Sequence, residues 1–177
     1  GCLRLTRVVR NFFMNEEQAK ALVQPMMDGC TIVDVENFDE LYAIYFVNNE
    51  YYESKDLNDL KIGAGPIFVE KETGNIFSTG SGVSAQFYVK AYRECGSVYG
   101  RPSSSVLLNE LINNDNPKAC IVELKHISGK TMAEAKNIFS DLVNGNIVKL
   151  DFDSEDDAEK AIEKLSLIGI YAKLIWC

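Results

Sequence analysis

An α+β fold made of two small domains is what this chain predicts, and three observations carry that expectation. Its 177 residues fit one domain or two small ones. Hydrophobic residues make up 46% and charged residues 25%, which is enough apolar material to bury a core. Along the chain, stretches with helical spacing of apolar residues give way to stretches that alternate, so neither helix nor strand dominates.

Residues 15–27 open the first domain as a short helix. Asn15 followed by Glu16, Glu17 and Gln18 supplies a polar cap and an acidic first turn, and Ala19, Leu22, Val23 and Met26 repeat on one face. The period then changes to two over 31–35 and again over 41–47, where Tyr, Ile, Phe and Val suit a pleated, half-buried surface. Asn48, Asn49 and Glu50 mark a turn; Tyr51 to Glu53 read as a hairpin continuation, and 54–61 as a loop or one helical turn. The runs 65–71 and 76–79 form two strands around Glu72, Thr73, Gly74 and Asn75, because Gly and Asn accept the positive φ of hairpin turns. Ser84 caps a helix bearing Phe87, Tyr88, Ala91 and Tyr92, which ends at Cys95 and Gly96. The first half is thus an antiparallel meander flanked by helices.

Residues 96–105 hold Gly100, Pro102 and the three consecutive serines 103–105 without apolar periodicity, the composition of a linker. This places a domain at 14–97, a linker at 98–105 and a second domain at 106–177. In the second, Val106 to Leu108 starts an element and Pro117 follows a polar turn at the first helical position. Residues 119–128 suit a helix ended by Gly129, although Ile121 and Val122 would also suit a strand. Thr131 caps a helix over 132–143, a strand follows over 147–152, Ser154 caps a helix to Ile168, and 170–176 return as a strand.

The formal net charge is -8, which repels phosphate backbones and disfavours nucleic acid as a partner. Residues 14–97 carry 6 basic and 14 acidic side chains, a balance that suits a basic protein partner. Apolar runs are only a few residues long, too short to span a membrane. Residues 1–13 read as an artificial or mis-assigned extension, or a disordered tail, with Met14 the natural start. Five widely spaced cysteines with no C-x-x-C pair fit free thiols in a reducing compartment, hence a cytoplasmic protein.

Little in the chain points to catalysis, to a metal or to a cofactor. His126 is the only histidine and reads as a surface or packed side chain, not the base of a nucleophilic site. Gly63, Gly65, Gly80 and Gly82 lack the spacing of a phosphate loop and read as turn glycines. Asp151, Asp153, Asp156 and Asp157 lack the glycine and terminal glutamate of a calcium loop; a strand edge and a helix cap account for them. Tyr42, Tyr45, Phe46, Tyr51 and Tyr52 form an aromatic cluster among acids, whose outward members could anchor a partner.

The run Gly63 to Gly80, with Gly65 and Pro66, the apolar Ile67 to Val69, Glu70 and Lys71, the Glu72, Thr73, Gly74 turn and a second strand ending in glycine, resembles the immunity protein 35 family of bacteria. That resemblance covers about residues 14–95. It implies a small α+β domain that neutralises a cognate toxin by binding, without catalysis. The second half is similar to the C-terminal domain of the bacterial ribosomal stalk protein in three blocks: Ile121 to Gly129, Met132 to Lys136, and Ser154 to Lys160 with the turn at Gly169. It implies a three-stranded sheet covered by three helices, and a helix over 118–128. In the stalk domain such helices dock translation GTPases, and Ile121, Lys125 and Lys136 occupy matching positions. A basic family position is Val122 here, and the glycine-leucine run is replaced by Ser128 to Met132, so a fold reused as an interaction module is expected.

The resulting expectation is an immunity protein whose acidic first domain occludes a basic toxin surface. Its contact candidates are Asp34, Glu36, Asp39, Glu40, Glu50, Tyr51, Tyr52 and Glu53, with Ile121, Lys125 and Lys136 as a secondary surface. The alternatives are a chaperone-like or translation-factor-binding module and, third, an enzyme that uses acidic residues.

Overall fold

The computed structural model describes residues 13–177; the expectations for residues 1–12 lie outside them. The chain divides into two compact units, Gly1–Lys90 and Ala91–Cys177. Among the described residues no helix is long and apolar enough to cross a membrane.

In the first unit, α1 (Glu16–Val23) begins with a reciprocal capping box in which Gln18 N donates to Asn15 Oδ1 and Asn15 N to Gln18 Oε1, each at 2.9 Å. A single 3-10 turn, Gln24–Met26, leads into β1 (Cys30–Asn37) and β2 (Leu41–Asn48). Next come α2 (Asn49–Ser54), a second 3-10 turn (Leu57–Asp59), β3 (Ala64–Glu70), β4 (Ile76–Gly80) and α3 (Ala85–Cys95). The four strands form the expected antiparallel meander in the order β1-β2-β3-β4.

Strand alternation gives the sheet two working faces. On one, Ala19, Val23 and Met27 pack with Tyr42, Ile44, Ile67 and Val69. On the other, Phe68 is fully buried and its ring lies 5.7 Å from that of Tyr88 on α3. The Tyr88 hydroxyl reaches the Gly80 carbonyl at 3.0 Å, so the phenol is bonded as well as packed. β3 and β4 approach so closely that a Cβ on Gly65 would lie 2.1 Å from the Gly80 oxygen. Only glycine fits there.

The second unit contains β5 (Pro102–Leu111), α4 (Pro117–Ser128), α5 (Met132–Val143), β6 (Val148–Asp151), α6 (Glu155–Leu167) and β7 (Ile170–Trp176). Its antiparallel sheet has the order β6-β5-β7. Val106, Leu108, Leu150, Ile170 and Ala172 share a core with Cys120 and Leu124 of α4, Ile138, Phe139 and Leu142 of α5, and Ala158 and Leu165 of α6. Three helices on a three-stranded sheet is the expected architecture. Thr131 and Ser154 cap α5 and α6, and Gly129 ends α4 in the left-handed conformation.

Four local expectations change. Tyr51 to Glu53 lie in α2, not in a hairpin strand: Lys55 ends that helix at φ 57° and turns the chain back. Residues 102–105, expected in the linker, open β5. Their serines are held by partners far along the chain, Ser103 Oγ donating to Ile175 O at 2.7 Å and Ser105 Oγ to Asp151. The boundary between units falls inside α3, ahead of that stretch. Finally, Cys95 and Cys177 are disulfide-bonded with Cα atoms 5.9 Å apart, so two cysteines expected to be free are paired; Cys30 and Cys120 are free.

Candidate interaction surface

The concave feature nearest the expected contacts lies in the first unit, where β1 and β2 meet the start of α3. A β-bulge borders it. The register between β1 and β2 shifts between Ile32 and Asp34, which leaves Val33 as the extra residue and brings Asp34 opposite Tyr45 and Glu36 opposite Ala43. Asp34, Glu36 and Tyr45 therefore share the sheet face turned toward α3. Glu36, Tyr45, Gly65, Pro66, Ser84 and Gln86 line a groove of about 400 Å³ there.

Both oxygens of the Glu36 carboxylate are engaged by neutral donors. The Tyr45 hydroxyl donates to one at 3.0 Å and the Gln86 amide to the other at 3.4 Å. Burial pushes the Tyr45 phenol up to about 12, and the hydrogen bond and negative charge of Glu36 push it the same way. A neutral phenol facing two carboxylates can only donate. No lysine or arginine is among the groove's lining residues, so the Glu36 carboxylate gives it negative potential toward a partner.

A titration tests this geometry. Tyrosinate absorbance should show one phenol ionising near pH 12, two units above the ordinary 10.0. Tyr45→Phe should remove that late phase; Glu36→Gln should move it part of the way back, because burial persists without the charge. A raised phenol pKa destabilises the fold only above pH 10, where the unfolded chain ionises and the folded one holds its proton. A late phase that survives Tyr45→Phe would show that another phenol is responsible.

The other candidates are spread along β2. Asp39 and Glu40 sit in the β1-β2 turn, and Glu50, Tyr51, Tyr52 and Glu53 lie on α2 at the opposite strand end. Eight residues at about 3.3 Å each separate the two groups by roughly 25 Å. Asp34 and Glu36 stand between them on β1. Glu40 O accepts from Lys71 N at 3.0 Å, so the turn also serves the fold. Glu50 lies 4.0 Å from Lys61, both well exposed, a geometry worth little to stability. Tyr45 and Gln86 were not singled out as groove residues from sequence: Tyr45 stood within an aromatic run, and the bulge that orients it leaves no mark in composition.

In the second unit Ile121 is partly buried against the core, Lys125 is half-buried on α4, and Lys136 is exposed on α5. Ile121 is therefore mainly a packing residue. A cleft of about 390 Å³ lies between the end of α4, β6 and the start of α6, lined by His126, Ser128, Asp151, Asp153, Asp157 and Lys160 among others. Ser128 Oγ donates to Leu124 O of its own helix at 2.5 Å. The hydroxyl thus folds back onto the carbonyl one turn earlier in its own helix. Ser105 donates to Asp151 and holds its carboxyl below the usual range.

Comparison with protein families, with curated proteins and with solved structures found no match.

Proposed function

We propose that this chain is an immunity protein, one that neutralises a cognate bacterial toxin by direct binding with no catalytic step of its own. The observation that carries the proposal is the charge of the first unit: residues 14–90 hold 13 acidic side chains against 5 basic ones. Glu36 opens into a groove without a lining cation. Glu50 and Glu53 lie exposed on α2 beside Tyr52. The resemblance of residues 14–95 to the immunity protein 35 family points the same way. A basic toxin surface is the complementary partner, since opposed fields speed encounter and reject like-charged competitors.

The test begins by recovering the partner on the full chain and on its two units. Co-expression with the recovered toxin domain should restore growth. Glu50→Lys with Glu53→Lys should slow association about tenfold and flatten its dependence on salt, because less of the encounter is then electrostatic. Recovery of elongation factors on the second unit, abolished by Lys136→Glu, would replace this reading with the stalk-like one.

The site of action we infer is the cytoplasm, from the wide cysteine spacing. The Cys95–Cys177 bond bears against that inference, because such bonds persist in oxidising compartments. Thiol trapping in intact cells decides between them.

A further inference from the structure

The connection from β2 to β3, residues 49–63, is a built platform. α2 ends at left-handed Lys55, and the Asp56 carboxylate then caps the 3-10 turn by accepting from Asn58 N at 2.9 Å. Its return is held by Asn48, the one buried polar residue among those described. Asn48 Nδ2 donates to Asp59 O at 2.8 Å, and Lys61 N donates to Asn48 Oδ1 at 3.0 Å. A buried amide is costly unless bonded. Here both of its ends are spent on this one connection, which fixes the platform to the end of β2.

The fixed platform turns apolar side chains outward. Leu57 is 75% exposed, Ile62 88% and Tyr52 45%, three within eleven residues. Lys55 Nζ stands 4.0 Å over the Tyr52 ring and holds it in place. Four carboxylates, Glu50, Glu53, Asp56 and Asp59, share the segment with two lysines, Lys55 and Lys61. Apolar anchors within a charged rim are the anatomy of a protein interface.

We propose that residues 49–63 dock a protein partner that presents an apolar pocket inside a basic rim. Leu57 and Ile62 enter the pocket, and the four carboxylates meet the rim. Charge selects this occupant: an anionic lipid surface would repel the acids, and a second copy would set the same carboxylates against each other. The inference rests on the binding-protein reading above and adds the anchors and the chemistry of the surface they enter.

The probe is a short amphipathic peptide of lysine and leucine at helical spacing, with its glutamate and leucine counterpart as control, titrated into the full chain and followed by amide chemical shifts. Saturable one-to-one binding of the lysine peptide is expected, with shifts concentrated in 49–63 and none from the control. Leu57→Ser with Ile62→Ser should weaken binding about tenfold; both side chains are exposed, so the fold survives the change. Glu50→Lys with Glu53→Lys should weaken it independently. Shifts centred elsewhere, or unchanged affinity in the serine variant, overturn the proposal. Peptide docking at 49–63 in a chain that fails to protect cells supports this surface and removes the immunity reading. Toxin neutralisation that survives the serine variant removes this surface and leaves the immunity reading intact.

Discussion

Phe68→Ala is expected to lower the stability of the first unit by about 3–5 kcal/mol. The ring is fully buried in β3, between Ala43 and Phe77 on the neighbouring strands, and packs at a tilt against Tyr88. Its loss opens a void that β2 and β4 cannot close, because the hydrogen-bonded ladders on both sides fix their spacing. Tyr88 would also lose one of its aromatic neighbours while its hydroxyl stayed tied to Gly80. Urea unfolding followed by far-ultraviolet circular dichroism should show an earlier transition with an unchanged slope. A loss below about 1 kcal/mol would mean that this face of the sheet is not packed as described.

Cys177→Ser should cost the second unit about 2–4 kcal/mol, since the bond joins residues 82 apart. Closing so long a loop removes much of the unfolded chain's freedom. Wild-type protein treated with reductant should melt like the variant, and the variant should ignore reductant. If the wild type is itself indifferent to reductant, the thiols are not paired in solution, and the reducing-compartment reading of the cysteines regains its footing.

Where neighbours in sequence determine the conformation, the chain was readable. Asn15, Thr131 and Ser154 cap helices through their own next turns. The β3-β4 hairpin follows from Gly74, which takes a positive φ of 76°. What escaped depends on distant partners. Ser103 and Ser105 look like linker residues until Ile175 and Asp151 stand beside them. The pairing of Cys95 with Cys177 requires the second unit to bring its ends together. In the site, the acids of β1 and α2 could be named from sequence, and Tyr45 only as one of an aromatic run, but the Val33 bulge and the outward Leu57 and Ile62 could not. Apolar residues in a short polar stretch read as packing material, and only the grip of Asn48 on Asp59 and Lys61 shows why they face solvent.

The bulged, acidic β1 has a further consequence. It is an edge strand of the first sheet, and an open edge is a template on which another chain can add a strand. The extra residue at Val33 breaks the flat run of free amides, and Asp34 and Glu36 would oppose their own kind across any such pairing. The edge is thus guarded by charge as well as by shape.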